Sequence, residues 1–592
     1  MHEDLFKELN KQQREAVAYT AGPSIILAGA GSGKTRVIVY KVLHLIQDKG
    51  FDPSSIVMVT FTNKAAGEMK YRVGKPLGFT GTFHSFCVSI LRRHGDRVGL
   101  GHNFLIYDEH DKETLLKDIL KNVQYEKNLK PYSVGSRISS AKDNLITYRQ
   151  YKKYVRSEYD EAILQVYTQY QKILEKNNAA DFDDLIAKTV KLFTEHPRLL
   201  SRYEDVFRYL LVDEFHDTNF AQYTLSRLLA KRNQNITVVG DFSQSIYSWR
   251  GADLKNLEKF QSDFPSAKVF HLVQNYRSTQ NILDFAYRVI KKNETHPILE
   301  LFTDNTQGER VEVTEAANEQ EEAIRVVDEI QRRVVDEGYE TCAVLYRVNA
   351  QSRVIEEALL HYSIPYVLVG GVRFYKRREI KDIVCYMRLL VNETDEVSLK
   401  RAIKLGKRRF AAFKKYHKSV EGRLDNKESD ELIGEILEAT GYLELFDEHD
   451  EADLARLENI KELRSVAQQF PKLNDFLEQI ALVESEYSQS EKDSKGKKGV
   501  NLMTLHACKG LEFPYVFITG VEEGLLPHSR SQYDQHELEE ERRLFYVGIT
   551  RAKKKLYISH ARRRFLFGRR VPAEVSRFLS NEDGETYYAK TF

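Results

Sequence analysis

One glycine-rich stretch, residues 28–35, limits the possible folds of this chain more than any other segment. It follows an apolar run and precedes apolar residues at helical spacing, which predicts a buried strand, a glycine loop and an amphipathic helix. The backbone N–H groups of such a loop bind a triphosphate at the helix N-terminus. Lys34 would reach the β and γ phosphates, and the Thr35 hydroxyl would bind Mg²⁺, although Ala28 stands where the strict pattern has glycine. The predicted nucleotide-binding residues are Ala28, Gly29, Ala30, Gly31, Ser32, Gly33, Lys34 and Thr35 of this stretch and Arg36, which follows it.

Length and composition set the broad class of the protein. At 592 residues, with 42% hydrophobic and 30% charged residues, we expect three or four globular domains. No apolar run approaches the ~20 residues that a bilayer crossing needs. The charged N-terminus argues against a secretory leader, so the cytoplasm is expected, and four widely spaced cysteines favour core thiols over a zinc site or disulfides. Because the formal net charge is only +2, any contact with nucleic acid must be local.

Further apolar runs end in side chains suited to phosphate chemistry. One ends at Asp213 and Glu214, and we assign Asp213 to the Mg²⁺ shell and Glu214 to the base that activates water. Another leads to Gln244, which is placed to sense a γ-phosphate. Upstream of the loop, Gln13 could read an adenine edge, because an amide both donates and accepts hydrogen bonds.

Aromatic and polar residues follow several predicted strands. The carboxyl ends of parallel strands form the ligand-facing edge of a sheet, where bases could stack on aromatic rings. Trp249, the only tryptophan, stands in a turn between an aromatic and a basic residue. Core packing is the usual role of Trp, but this interleaving suits single-stranded bases. The candidate nucleic-acid contacts are Phe61, Asn63, His84, Tyr247, Trp249 and Arg250.

Taken with the second half of the chain, these motifs resemble the superfamily 1 DNA helicases of the UvrD, Rep and PcrA type. The similarity runs in family order from Leu9 to about Gly568, and its later motifs are residues 271–278, 345–353, 500–513 and 540–552. The resemblance implies that Tyr276 stacks on adenine, Glu512 faces the ribose, and Arg277 and Arg551 act as arginine fingers. It also implies DNA contacts at Arg347, Thr504, His506, Lys509 and Phe567.

The resemblance implies an α/β fold of two RecA-like P-loop NTPase lobes, with parallel sheets flanked by helices and a mainly helical insertion in each lobe. Mg·ATP would lie between the lobes, with Lys34, Asp213 and Glu214 on one side and both arginines on the other. The polar composition of residues 488–498 predicts a flexible link back into the second lobe. The predicted boundaries are 1–88 and 195–278 for the first lobe, 89–194 for its insertion, 279–390 and 498–592 for the second lobe, and 391–497 for a shortened second insertion.

The implied function is an ATP-dependent 3′–5′ DNA helicase and single-stranded DNA translocase in repair or replication. ATP and Mg²⁺ are the expected cofactors, and the expected partners are single-stranded DNA and its junctions with duplex. A monomer or a weakly self-associating protein is expected. Two alternatives stay open: a DNA-stimulated ATPase that switches DNA binding without unwinding, and the motor subunit of a helicase–nuclease. A small-molecule kinase is disfavoured because it would leave the aromatic motifs without a role.

Four departures from the family pattern accompany the resemblance, and the shortened second insertion is one of them. His216 stands where the family commonly has Gln, so weaker phosphate sensing or a pH dependence is expected. Phe242 and Ser243 stand where close relatives have aspartates. Residues 407–412 replace a Gly-Ile-Gly turn thought to grip duplex DNA. We therefore expect translocation to be better preserved than unwinding.

Overall fold

A computed structural model describes residues 4–123, 129–334, 337–448, 450–493, 498–566 and 569–580. The chain divides into two compact units. Unit 1 contains Met1–Arg277 and Asn293–Asp304, and unit 2 contains Ser278–Lys292 and Asn305–Phe592. Residues 293–304, which we had assigned to the second lobe, therefore belong to the first unit.

Unit 1 combines parallel strands with helices on both sides. Its strands are β1 Ser24–Ala28, β2 Ile56–Thr60, β3 Phe79–Thr82, β4 Leu105–Tyr107, β5 Ala179–Asp181, β6 Tyr209–Val212, β7 Ile236–Gly240, β8 Lys268–Leu272, β9 Gln274–Asn275 and β10 Phe302–Thr303. Its helices are α1 Asp4–Lys7, α2 Lys11–Ala18, α3 Lys34–Gln47, α4 Asn63–Val73, α5 Phe83–His94, α6 Glu109–Leu120, α7 Pro131–Asp143, α8 Tyr148–Tyr151, α9 Glu158–Lys176, α10 Phe182–Glu195, α11 Pro197–Val206, α12 Phe220–Ala230 and α13 Asn256–Asp263.

The main sheet of unit 1 has the strand order β3-β2-β6-β7-β1-β8, and its pairs are all parallel. Every residue of β1, β2, β6 and β7 is buried, as expected for strands covered on both faces. Successive side chains alternate between two cores, so that Ile25 packs in one and Ile26 in the other. Since β1 lies between β7 and β8, the segments that follow those two strands flank the glycine loop.

The helical insertion of unit 1 has a hydrophobic core of its own, built mainly from α6, α7 and α9. The predicted boundaries of this insertion were too wide. Residues 89–94 and 182–194 lie on α5 and α10, whose apolar residues join the core of the main sheet. The boundary was misplaced because a helix that covers a sheet and a helix of an insertion have the same amphipathic pattern.

Unit 2 repeats the combination of parallel strands and helices. Its strands are β11 Glu312–Ala316, β12 Cys342–Tyr346, β13 Tyr366–Leu368, β14 Val500–Thr504, β15 Phe513–Ile518, β16 Ala552–Ala561, β17 Arg563–Leu566 and β18 Arg569–Pro572. Its helices are α14 Gln280–Ile290, α15 Glu319–Arg333, α16 Ser352–His361, α17 Arg378–Val391, α18 Glu396–Lys404, α19 Lys407–Val420, α20 Ser429–Thr440, α21 Glu451–Gln469, α22 Leu473–Asp493 and α23 Gln535–Ile549.

The main sheet of unit 2 has the order β11-β16-β15-β12-β14-β13, again with parallel pairs. The predicted insertion over 391–497 is helical where the structure describes it, and its apolar residues share one continuous core with this sheet. The predicted flexible link at 488–498 is wrong up to residue 493, because α22 continues to Asp493. Glutamate, glutamine and lysine are strong helix formers, which allows this helix to extend through a polar stretch.

The predicted α/β class with two parallel sheets flanked by helices is confirmed. The four cysteines are buried in the two units. Among the helices that the structure describes, none is both long and apolar enough to span a bilayer.

Candidate nucleotide and nucleic-acid site

The glycine loop between β1 and α3 has the backbone shape that its sequence predicts. Gly31 and Gly33 have φ values of 65° and 85°, a region that side chains disfavour. Space is also limited, because a Cβ atom on Gly31 would lie 2.7 Å from Asn275 Nδ2 and 2.9 Å from Arg277 Cβ. Glycine is therefore required at residue 31 for two independent reasons.

Three consecutive carbonyl groups of the loop are held by neighbouring segments. Asn275 Nδ2 donates to Ala30 O at 2.7 Å, the backbone N–H of Tyr276 donates to Gly31 O at 3.0 Å, and Gln13 Nε2 donates to Ser32 O at 2.9 Å. In a trans peptide the N–H of the next residue points the opposite way from the carbonyl. Because these carbonyl groups are held by hydrogen bonds on one side of the loop, the N–H groups of Gly31 and Gly33 point to the other side, where a phosphate would bind.

Asn275 was missed as a site residue. Its role depends on β8 lying beside β1, which the local sequence does not reveal. Gln13 was predicted to read adenine, and its amide instead fastens α2 to the loop, with its oxygen accepting from the backbone N–H of Asn10 at 3.1 Å. Base reading by Gln13 stays a prediction.

The acidic side of the site is buried. Asp213 follows β6, and burial, followed by the charge of Glu214, raises its pKa to about 8, while Lys34 opposes that rise. Asp213 Oδ1 is buried and has no hydrogen-bond partner within the described residues. A nearby cation would relieve this cost, and a carboxylate with the hydroxyl of Thr35 is the oxygen donor set that Mg²⁺ prefers. The residues present therefore fit the predicted metal.

Asp241, at the end of β7, links Lys34 to Gln244. Its Oδ2 accepts from Gln244 Nε2 at 2.7 Å and lies 3.8 Å from Lys34 Nζ. Burial raises the pKa of Asp241, and Lys34 opposes this shift. Asp241 was not among the predicted site residues, although its position at the end of a buried strand was the same signal that identified Asp213.

Glu214 has an unusual backbone, with φ 49° and ψ 43°. A residue other than glycine in this left-handed region costs roughly 1–2 kcal/mol, and such strain is concentrated at functional sites. Glu214 stands at the N-cap position of the turn Phe215–Asp217, but its side chain makes no capping hydrogen bond there. The strain and this uncommitted side chain support the assignment of Glu214 to a reacting position.

The two other predicted nucleotide contacts of unit 1 lie beside the loop. Tyr276 is 44% exposed, and its hydroxyl accepts from Asn10 Nδ2 at 2.8 Å, which leaves the ring accessible for the predicted stacking. Arg277 was expected to lie across a cleft from Lys34. That expectation was wrong, because Arg277 belongs to unit 1 and its Cβ lies close to Gly31.

Aromatic residues form a cluster near the ends of β2 and β7. The rings of Phe61 and Tyr247 are stacked, with centroids 6.1 Å apart and 7° between their planes. Trp249 lies edge-on to Tyr247 at 6.4 Å, and the Arg250 guanidinium is 4.4 Å from the centre of the Trp249 ring. Trp249 is 48% exposed, so packing in the core is not its role.

The remaining candidates of unit 1 follow β2 and β3, which are neighbours in the sheet. Asn63 begins α4 and is exposed. His84 contacts the exposed ring of Phe182 edge-on at 5.5 Å, and burial lowers its pKa while Asp183 opposes the shift. These positions agree with the predicted ligand-facing edge.

The candidates of unit 2 also gather after neighbouring strands. Thr504 ends β14 and Arg347 follows β12, with which β14 pairs. The guanidinium of Arg347 binds both carboxylate oxygens of Glu541 at 2.8–3.0 Å. His506 and Lys509 lie in the turn after β14. DNA contact by these residues stays a prediction, and Phe567 lies outside the described residues.

Arg551 and Glu512 make contacts within unit 2. Arg551 is buried and donates to Val547 O at 2.9 Å and to Leu511 O at 3.2 Å. Glu512 Oε1 forms an ion pair with Lys553 Nζ at a distance of 2.6 Å. The nucleotide roles of Arg551 and Glu512 stay predictions.

Two protein-family models match this chain. Residues 9–265 match the UvrD/REP helicase N-terminal domain, and residues 270–420 and 407–563 match the UvrD-like helicase C-terminal domain. The chain belongs to the UvrD/REP helicase family. The two matches account for most of both units of this UvrD/REP-family chain, and the resemblance drawn from its motifs is confirmed.

Curated relatives extend over nearly the whole chain. The ATP-dependent DNA helicase PcrA of Staphylococcus aureus (strain Mu50) is 40% identical over 97% of this chain and 86% of its own length. The protein of that name from Staphylococcus epidermidis (strain RP62A) is 41% identical over the same shares. A solved C-terminal domain of a possible DNA helicase from Lactobacillus plantarum aligns with 52% of this chain and 97% of its own at 15% identity and a TM-score of 0.23, too low to show a common fold.

Proposed function

We propose that this member of the UvrD/REP helicase family is an ATP-dependent DNA helicase that moves 3′ to 5′ along single-stranded DNA. Its substrates would be single strands and their junctions with duplex DNA, in repair or replication. The observation that carries the proposal is that one segment of unit 1, residues 241–250, contains the hydrogen-bonded pair Asp241 and Gln244 beside Lys34 and also contains Tyr247 and Trp249 of the aromatic cluster. The names of the curated relatives agree with this function.

The nucleotide chemistry follows from the residues around the loop. The loop amides and Lys34 bind the phosphates, while Thr35 and Asp213 would hold Mg²⁺, which neutralises charge on the transferred phosphoryl group when bound. Glu214 takes a proton from the attacking water, and Gln244 senses the γ-phosphate from its anchor on Asp241. Arg551 and Arg277 are proposed to stabilise charge on that phosphoryl group, a contribution that reaches ~10³- to 10⁵-fold in related chemistry.

The DNA strand would stack on the cluster of Phe61, Tyr247 and Trp249. Every base has a flat apolar face, so stacking is tolerant of sequence, as translocation requires. Gln244 and Tyr247 are three residues apart on one segment, so a shift of the proposed phosphate sensor would act on the aromatic cluster through Tyr247. This connection provides a route from hydrolysis to a step along the strand.

The proposal is tested by measuring ATP hydrolysis and strand separation together. The wild-type protein should hydrolyse ATP faster when single-stranded DNA is added, and it should separate a duplex with a 3′ tail but not one with a 5′ tail. Lys34→Ala should lose both activities while still binding single-stranded DNA. Stimulated hydrolysis without strand separation would favour a DNA-binding switch, and separation of only the 5′-tailed duplex would reverse the proposed direction.

A further inference from the structure

We infer that His216 is a positioning residue for the general base Glu214, and that it ties this carboxylate to the end of β7. The inference deepens the proposed function and rests on it, since it assumes that Glu214 activates water.

The ring of His216 is fully enclosed, with 1% of the residue exposed. It lies against Gly240, where a Cβ atom would be 3.1 Å from Nδ1, and edge-on to Phe242 with ring centres 6.2 Å apart. The backbone N–H of Asp241 donates to Nδ1 at 3.1 Å. Because Nδ1 accepts this bond, the proton of the neutral ring is on Nε2.

The protonated face of the ring points toward carboxylates. His216 Nε2 lies 3.6 Å from Glu214 Oε2 and 3.6 Å from Asp217 Oδ1. Glu214 Oε2 is buried and has no hydrogen-bond partner in the described part of the chain, whereas the Glu214 side chain as a whole is 31% exposed. A shift of a few tenths of an ångström by this carboxylate closes a hydrogen bond of ordinary length.

In this arrangement His216 supports the Glu214 carboxylate through its buried oxygen, Oε2. An N–H group on Oε2 leaves Oε1 for the attacking water, and it limits rotation of a carboxylate whose own backbone is strained. The anchor is shared, because Asp241 gives its N–H to His216 and its carboxylate to Gln244. The base and the proposed γ-phosphate sensor are therefore fixed to one residue. This geometry favours a supporting role for His216 over the weakened phosphate sensing that the sequence suggested.

Two substitutions distinguish the two contacts of His216, which are acceptance of a hydrogen bond from Asp241 and donation to Glu214. The side-chain oxygen of His216→Asn can accept from Asp241 as Nδ1 does, but its amide is too short to reach Glu214. His216→Gln can extend an N–H group to Glu214. We expect the Asn variant to lower kcat of DNA-stimulated ATP hydrolysis about 10- to 100-fold, the range for lost supporting contacts. The KM for ATP and the melting temperature should stay near wild type, and the Gln variant should recover kcat to within about 3-fold.

His296 supplies a matched control. It is a buried histidine of the same unit whose Nε2 lies 3.1 Å from Ser243 Oγ. Since His296→Asn leaves His216 and Glu214 in place, it should keep kcat near wild type. If His216→Asn does not fold, His216→Phe, which keeps a ring but has no N–H group, must reproduce the loss of kcat.

Three results would overturn the inference. They are a wild-type kcat in the Asn or Phe variant, a Gln variant as slow as the Asn variant, and parallel losses of kcat, ATP binding and melting temperature. An absence of ATP hydrolysis in the wild-type protein would instead remove the proposed function, and the inference with it.

Discussion

Trp249→Ala provides a direct test of the aromatic cluster. The side chain is 48% exposed and contacts Tyr247 and Arg250, so its loss removes a stacking surface without opening a cavity in the core. Half of a large side chain's burial corresponds to roughly 1 kcal/mol, which is small beside a typical stability of about 5–15 kcal/mol. The variant should therefore fold.

The effect on DNA binding should be larger than the effect on stability. Stacking on an aromatic side chain contributes about 1–3 kcal/mol per base, and 1.4 kcal/mol corresponds to a tenfold change in Kd. The stacked pair of Phe61 and Tyr247 remains in the variant, so we expect the lower part of that range. The Kd for single-stranded DNA should rise about 5- to 30-fold.

The measurement is fluorescence anisotropy with a labelled oligonucleotide at one fixed salt concentration, because phosphate contacts make affinity depend on salt. The DNA concentration that half-maximally stimulates ATP hydrolysis should rise in parallel, and binding of ADP without DNA should be unchanged. Tyr71→Ala is a matched control, since this exposed aromatic of unit 1 lies outside the cluster. Equal losses of DNA and ADP binding in Trp249→Ala would refute the reasoning and assign Trp249 a structural role.

Three further substitutions test the site and its surroundings. Gly31→Ala should weaken ATP binding at least about tenfold in calorimetry, because its φ of 65° and the nearby Asn275 leave no room for a methyl group. Asp143→Asn should raise the melting temperature at pH 9, with a gap to wild type that shrinks toward pH 5. Arg347→Ala should lower the denaturant midpoint of unit 2, since the buried charge of Glu541 loses its guanidinium partner and keeps the backbone N–H of His528, a loss that costs up to about 3–5 kcal/mol.

The sign of the Asp143 effect follows from its environment. Burial, followed by the charge of Asp183, raises the pKa of Asp143 to about 8, whereas an unfolded chain has about 3.9. The folded state keeps this proton longer, so stability falls as pH rises from about 4 to 8. Asparagine cannot ionise, and its oxygen can still accept from Asn219 Nδ2, as Asp143 Oδ1 does at 2.6 Å. An equal gap at pH 5 and pH 9 would contradict this account.

Two results would contradict the predictions for Gly31→Ala and Arg347→Ala. Unchanged ATP affinity in Gly31→Ala would show that the loop adapts to a side chain at this position. An unchanged denaturant midpoint in Arg347→Ala would show that Glu541 is protonated or hydrated at little cost once its partner is removed.

The sequence alone determined the elements whose signals are local. A continuous apolar run followed by glycines, lysine and threonine specifies β1, the loop and α3, because burial, positive φ angles and helix amphipathicity act within about twenty residues. The same logic located Asp213, Glu214 and Gln244 at strand ends. The order of the motifs along the chain also identified the family.

Only the tertiary structure decided which of these segments meet. β1 lies between β7 and β8, and this order places Asn275 and Arg277 beside the loop and Asp241 beside Lys34. Strand order depends on contacts between residues more than two hundred positions apart, which no local pattern records. The same holds for His216, whose two ring nitrogens acquire different partners only because Asp241 of the neighbouring strand reaches one of them.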